Sequence, residues 1–116
     1  MNPAHRKALD HELTRARAAL AGARLYEAMA HLERAHVLGQ SAVVPHVVVH
    51  ALMFQVALRR RMGRAALGQL ARIVLGALGS AVGRVPIGNT GGSDVSMFAP
   101  MPIAPELRAI MEGRAA

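Results

Sequence analysis

The chain has 116 residues, a length suited to one domain with a single hydrophobic core. Its residues are 53% hydrophobic but only 3% aromatic, which argues against disorder and favours packed helices over strands. The formal net charge of +7 admits an anionic partner, whereas the absence of cysteine excludes disulfide scaffolds and every thiolate metal site.

The first predicted helix covers residues 3–21. Asn2 suits the N-cap position before it, and proline is favoured in a first helical turn. The apolar stripe of this helix runs back to His5, and Glu12 lies beside it. The stripe consists of Leu9, Leu13, Ala16 and Leu20. The N-terminal segment has no secretory-signal pattern, so we expect a cytoplasmic protein.

The second and third predicted helices form a hairpin around a short connection. The second covers residues 23–38, and Gly39 is expected to cap it because glycine adopts the left-handed conformation at little cost. The third covers residues 45–61 and is apolar nearly all round, which indicates a central, buried helix. Two helices joined by so short a linker should pack antiparallel.

The last third of the chain changes character after a fourth predicted helix, residues 64–82. Gln69 and Arg72 interrupt its apolar sequence, so it is interpreted as a buried helix, since a membrane span needs about 20 apolar residues. Its glycines are expected to allow the close approach of a neighbouring segment. Residues 84–104 are rich in glycine and proline and predict an extended arm that wraps the helices.

The elements together predict an all-α fold of four helices, arranged as helical hairpins in one compact domain. Residues 1–83 form the helical core, residues 84–104 the extended arm, and residues 105–116 a terminal segment with a short helix. This arrangement predicts no transmembrane segment, and it leaves the oligomeric state open.

Three histidines lie around the predicted hairpin turn, in the segment HVLGQSAVVPHVVVH. His36 falls in the last turn of the second helix and His46 in the first turn of the third, so they should be neighbours in space. His50 follows His46 by four residues on the same helical face, a common spacing for metal chelation. The valines around them offer no side-chain hydrogen bonds, so buried imidazoles there need a metal or polar partners.

The first helix should deliver Glu12 and His5 to the same end of the molecule, and both are predicted as additional ligands. Without thiolates, three imidazoles with a carboxylate or water suit Zn, Fe, Cu or Ni, and ligand type does not choose among these metals. Haem held by one of the histidines ranks below a metal ion because aromatic residues are scarce. An open coordination position would suit a metal-dependent enzyme, whereas a closed site would be structural or serve metal handling.

Two other interpretations compete with metal binding. The segment RLYEAMAHLERAHVLGQ is similar to a tetratricopeptide repeat helix, so the hairpin could serve protein interaction with histidines that only complete the core. The basic cluster, which comprises Arg59, Arg60, Arg61 and Arg64, could bind phosphates. Nucleic-acid binding is disfavoured because the cluster lacks aromatic residues for stacking, and the loop IGNTGGS lacks the lysine of a P-loop.

The segments HLERAHVLGQ, VPHVVVHALM and VPIGNTGGSDVSMFAPMPI together resemble a family of short bacterial proteins known only as a domain of unknown function. The similarity covers nearly the full length, and its specific feature is the H-x9-H-x3-H spacing combined with the GNTGG arm. The resemblance implies a compact, mainly helical cytoplasmic domain. It brings no activity, so no functional residue is carried over from it.

Overall fold

Five α-helices make up the regular structure of residues 1–114, the part of the chain that this computed structural model describes. They are α1 (Pro3–Ala21), α2 (Leu25–Gly39), α3 (Val43–Arg59), α4 (Gly63–Ala81) and α5 (Pro105–Met111). Residues 1–114 contain no strand, so the prediction of an all-α fold with four main helices and a short terminal helix is confirmed. The last two residues of the predicted segment 105–116 lie outside the described residues.

The start of α1 has the predicted N-cap, whereas the end of α2 lacks the predicted left-handed glycine cap. The side chain of Asn2 accepts a hydrogen bond from the backbone N–H of His5 at 2.8 Å, so Asn2 is the N-cap of α1. Gly39, expected as a left-handed cap, is instead the last residue of α2. A Cβ at this position would lie 2.9 Å from Cβ of Pro45 and 3.3 Å from Cδ1 of Leu9. Glycine is required there because α1 and α3 both approach the end of α2.

Consecutive helices joined by short turns pack against each other, α1 on α2, α2 on α3 and α3 on α4. The short helix α5 packs against α1 and α2. The main core lies between α1, α2 and α3, and its largest members include Leu9, Leu32, Leu38, Val49, Met53 and Val56. Burying each of these side chains contributes roughly 1.5–3 kcal/mol, so the core holds α2 and α3 in the register that places the histidines.

Helix α4 is not the buried helix that its composition predicted. Its buried residues are Ala66, Gln69 and Ser80, whereas Leu67 is 68% exposed and Val74 is 60% exposed. Only one side of α4 is covered, because the helix packs on α3 and the following arm while its other apolar side faces outward. None of the described helices is both long enough and apolar enough to cross a membrane.

The arm between α4 and α5 is fixed to the α2–α3 turn by backbone and amide hydrogen bonds. The side chain of Gln40 donates to the carbonyl oxygen of Pro86 at 2.9 Å and accepts from the N–H of Gly88 at 3.1 Å. Asn89, with 1% of its surface exposed, donates to the carbonyl oxygens of Ser96 and Ala99, both at 2.7 Å. These contacts place the GNTGG segment directly over the histidines.

Candidate metal centre

His36, His46 and His50 meet in the interior, as their spacing predicted. Each has at most 4% of its surface exposed. The Nε2 atom of His36 lies 3.0 Å from Nε2 of His46 and 3.1 Å from Nε2 of His50. One potential ligand atom from each of the three residues lies within 4.8 Å of the others, a grouping that could hold a metal ion.

The outer ring nitrogens of His36 and His50 are both held by oxygen acceptors. Nδ1 of His36 lies 2.6 Å from the carbonyl oxygen of Asn89, and Nδ1 of His50 lies 2.6 Å from Oε1 of Gln69. The amide nitrogen of Gln69 donates to the carbonyl of Gly91 at 3.1 Å, which turns its oxygen towards His50. A carbonyl or amide oxygen only accepts, so both histidines carry their proton on Nδ1.

His46 reaches the same tautomer through a hydroxyl group. Its Nδ1 lies 2.6 Å from Oγ of Ser80, and that hydroxyl donates to the backbone carbonyl of Gln40 at 2.6 Å. Since the single hydroxyl proton of Ser80 is committed to this carbonyl, Oγ accepts a hydrogen bond from Nδ1–H of His46. All three imidazoles therefore present an unprotonated Nε2 to one another.

Burial keeps these imidazoles neutral. It lowers the pKa of His36 to about 3, with further lowering by the charges of His50 and His46. Burial likewise lowers the pKa of His50 to about 4, and it lowers the pKa of His46. The neutral imidazole is the form that ligates metals, so the cluster is ready to bind an ion at neutral pH without first losing protons.

The two Nε2 separations around His36 fit a first-row transition ion. With metal–nitrogen bonds of about 2.0–2.1 Å, two imidazoles of a tetrahedral site have nitrogens about 3.3 Å apart. The separations of 3.0 and 3.1 Å around His36 are a few tenths of an ångström shorter, a difference that small side-chain movements supply. The hydrogen bonds at Nδ1 are the outer contacts that orient metal-ligating histidines in proteins.

Two glycines let the neighbouring segments press against the histidine rings. A Cβ at Gly76 of α4 would lie 2.8 Å from Cε1 of His46, so α4 packs directly on that ring. Gly91 of the arm has φ +79° and faces the ring of His36, where a Cβ would clash. The expected close approach at the α4 glycines is thus present at Gly76, and also at Gly79, which contacts the backbone of Arg84.

A cavity of about 100 Å³ opens beside the three histidines. Since a single water needs about 10–15 Å³ of such space, the cavity has room for several waters or a small ligand. Its walls are largely apolar, and Arg72 of α4 also lines it. The apolar wall is formed by Leu75, Val85, Pro86, Met97 and Phe98. A metal held by three imidazoles would therefore keep one side accessible.

The structure places Glu12 and His5 away from this cluster. Both carboxylate oxygens of Glu12 are engaged, one by Arg34 at 2.8 Å and the other by His31 at 2.6 Å. His5 bonds the backbone carbonyl of Leu38. Residues 34 and 36 of a helix point about 200° apart, so the face of α2 that meets α1 is not the face that carries His36 of the cluster. The group of potential ligands found in residues 1–114 contains neither Glu12 nor His5.

The sequence analysis did not identify the residues whose side chains orient His46 and His50. Gln69 and Ser80 are the polar residues of an otherwise apolar face of α4, and both are buried. They are eleven positions apart in the sequence, which is close to three helical turns, so they share one face. Two buried polar side chains on one helical face need hydrogen-bond partners, and this pattern in the sequence could have identified them as partners of the histidines.

Comparison with known proteins identifies a family to which the chain is similar. The sequence model of a protein family described as "Protein of unknown function (DUF3703)" matches residues 3–111. The match extends from the first residue of α1 to the last residue of α5, so it includes the three histidines and the arm. No curated protein and no solved structure matches the chain.

Proposed function

The chain belongs to the DUF3703 family, and we propose that it is a small metal-binding protein whose ion is held by His36, His46 and His50. The observation that carries the proposal is the tautomer pattern. Each Nδ1 is fixed by an oxygen acceptor at 2.6 Å, so three lone pairs on Nε2 converge. A metal cation is the partner that satisfies all three at once.

A purely structural role for the histidines accounts less well for this pattern. A buried structural histidine normally finds hydrogen-bond partners for both ring nitrogens. The Nε2 atoms of this cluster have one another as neighbours, and three acceptors cannot satisfy each other. An extra shared proton would require an imidazolium ion, which burial opposes, as the pKa of about 3 for His36 indicates. These points favour the metal site over an interaction hairpin with core histidines.

The ligand set suits a divalent transition metal. Imidazole nitrogen binds Zn, Cu, Fe and Ni, and the three-histidine group contains no thiolate or carboxylate that would narrow this choice. When bound with an open position, such an ion supplies Lewis acidity to a small ligand. The chain's own contribution is to hold three imidazoles in one tautomer and to shield them from bulk water. The cytoplasmic location stays a prediction from the sequence.

Metal analysis tests the proposal. Protein purified without an affinity tag, loaded with Zn²⁺ and desalted, should retain close to one ion per chain. The variants His46→Ala and His50→Ala should lose that ion while keeping the helical circular dichroism spectrum. His11→Ala is the matched control, because His11 is an exposed histidine of α1. A wild-type Tm that Zn²⁺, Ni²⁺, Cu²⁺ and Fe²⁺ all leave unchanged would overturn the proposal, since an ion that binds the native state must stabilise it.

A further inference from the structure

Arg72 brings a positive charge to the cavity beside the histidines. Among the described residues that line the cavity, Arg72 and Arg84 have charged side chains, and none has a carboxylate. One terminal nitrogen of Arg72 donates to the carbonyl oxygen of Val95 at 2.9 Å. Its Nε–H is buried and has no hydrogen-bond partner, the one such side-chain atom in the described part of the chain. Native structures leave few buried donors unpaired, so this one suggests a missing acceptor.

Arg72 lines the same cavity as the proposed metal ligands His36, His46 and His50. The nearby carboxylate of Asp94 interacts with Arg72 electrostatically, but Asp94 is exposed and does not line the cavity. A divalent ion on the histidines would therefore face a second cation across a small, mainly apolar space.

We propose that this cavity binds a small oxyanion between the metal ion and the guanidinium of Arg72. The inference rests on the proposed metal site, because the ion is the anion's second partner. An oxyanion would supply the acceptor that Nε of Arg72 lacks, and arginine binds carboxylate and phosphate oxygens through adjacent N–H groups. The volume of about 100 Å³ has room for a small oxyanion such as a short carboxylate, bicarbonate or phosphate.

Cobalt substitution makes the anion visible. The protein is loaded with Co²⁺, whose visible absorption changes with the number and type of its ligands, and cobalt content is measured directly. Acetate, bicarbonate and phosphate are then titrated separately at constant ionic strength and pH. At least one of them should produce a saturable spectral change, and the comparison among the three distinguishes planar from tetrahedral anions.

Variants of Arg72 connect the spectral change to the cavity. Arg72→Met keeps an unbranched apolar stem but removes the guanidinium with its charge and donors, so it should weaken the anion affinity about tenfold or more. Arg72→Lys retains the charge and should give an intermediate affinity; it also provides the comparison if Arg72→Met fails to fold. Cobalt content should stay at one ion per chain in both variants, because Arg72 is not in the proposed ligand set. Arg64→Met, which alters an exposed arginine of the same helix, should match the wild type.

The outcomes separate the two proposals. Cobalt bound at one ion per chain, together with an anion response that weakens in the Arg72 variants, supports the inference. Cobalt bound at that ratio without any anion response, or with one that all variants share, overturns the anion site and leaves the metal site standing. A protein that binds no cobalt, zinc or other ion overturns both.

Discussion

Each histidine of the metal centre is oriented by a different part of the fold. Asn89 of the arm holds His36, and Ser80 and Gln69 of α4 hold His46 and His50. The three contacts have the same length, 2.6 Å, and all of them fix the proton on the nitrogen that points away from the cluster. The proposed metal binding therefore depends on acceptors outside the proposed ligand set.

Removing the side-chain acceptors should weaken metal binding without abolishing it. Gln69→Ala and Ser80→Ala each free one imidazole to rotate or change tautomer, and the loss of such an outer contact typically reduces metal affinity about 10- to 100-fold. Competition with a chromophoric zinc chelator measures this change. Ser41→Ala, at an exposed serine of the α2–α3 turn, is the control and should bind zinc as the wild type does. Equal affinities in all four proteins would contradict the assigned roles.

A side chain at Gly91 should displace the ring of His36. Gly91→Ala introduces a clash with that ring and also strains a backbone with φ +79°. Gly83 has a similar φ of +75° but open space around it, so Gly83→Ala reports the backbone strain alone, about 1 kcal/mol. Zinc affinity should fall in Gly91→Ala and remain unchanged in Gly83→Ala. A comparable zinc affinity in the two variants would show that the arm does not position His36.

The three-histidine cluster could be predicted from the sequence because the spacing of its members is local, whereas the acceptors that orient them could not. His46 and His50 are one helical turn apart, and His36 lies across a short hairpin turn. Asn89 is 53 positions from the histidine that it holds, and Ser80 is 34 positions from its own. Such pairings depend on how α4 and the arm fold back over the hairpin, and no local pattern encodes that path.

At the scale of the helices, α2 separates two polar clusters. One side of α2 carries His36 towards α3, and the other carries His31 and Arg34 towards Glu12 of α1. Glu12, which the sequence analysis offered as an additional ligand, pairs with Arg34 and His31 and is not in the three-histidine group. The helix limits were predictable to within two residues from caps and apolar periodicity. The exposed face of α4 was not predictable, because its apolar residues run nearly all round.

The pairing of Glu12 should stabilise the α1–α2 hairpin without affecting metal binding. Glu12→Gln removes the charge that Arg34 and His31 share, so the free energy of unfolding at pH 7 should fall by roughly 1–2 kcal/mol. Zinc content should stay at one ion per chain, because Glu12 is not in the proposed ligand set. Urea unfolding and metal analysis of the same preparation test both statements. Loss of the zinc from a folded Glu12→Gln protein would return Glu12 to the ligand set.

The same contact should make the hairpin sensitive to acid. Burial alone would raise the pKa of Glu12, but the hydrogen bonds from Arg34 and His31 outweigh it and lower the pKa below its ordinary value of 4.5. A carboxyl group whose pKa is lower in the folded state stabilises the fold at pH values above its unfolded-state pKa. That stabilisation is lost as the pH falls through its folded-state pKa. Unfolding of the metal-free protein, followed from pH 7 down to about pH 3, should show this loss. Glu12→Gln should reduce this acid-dependent loss of stability. An acid profile identical to that of the wild type would contradict the role assigned to Glu12.

At the scale of the whole molecule, the three-histidine cluster joins α2 and α3, and residues of α4 and the arm hold its outer nitrogens. The basic cluster, by contrast, is partly engaged in holding the fold together. Arg59 donates to the carbonyl oxygen of Leu20 at the end of α1, and the guanidinium of Arg60 lies 4.5 Å from the ring centre of Tyr26. The later part of the chain, α4 and the arm, is thus arranged around the three histidines and not around the basic cluster.

Metal binding should stabilise the entire domain. An ion present at about 1,000 times its dissociation constant adds about 4 kcal/mol to the free energy of unfolding. For a domain of this length that gain raises Tm by roughly 10 °C or more. Differential scanning calorimetry with and without Zn²⁺ measures the shift. His36→Ala should abolish the shift and His11→Ala should retain it, and a similar shift in both variants would place the ion elsewhere.

The side-chain nitrogen shifts of the histidines, recorded by long-range ¹H–¹⁵N NMR before and after one equivalent of Zn²⁺, test the central claim most directly. We expect His36, His46 and His50 to carry their proton on Nδ1 in both states, with the Nε2 signals of all three moving when zinc binds. If zinc leaves those Nε2 signals in place, or moves Nδ1 signals or other histidines instead, the three-histidine site is contradicted.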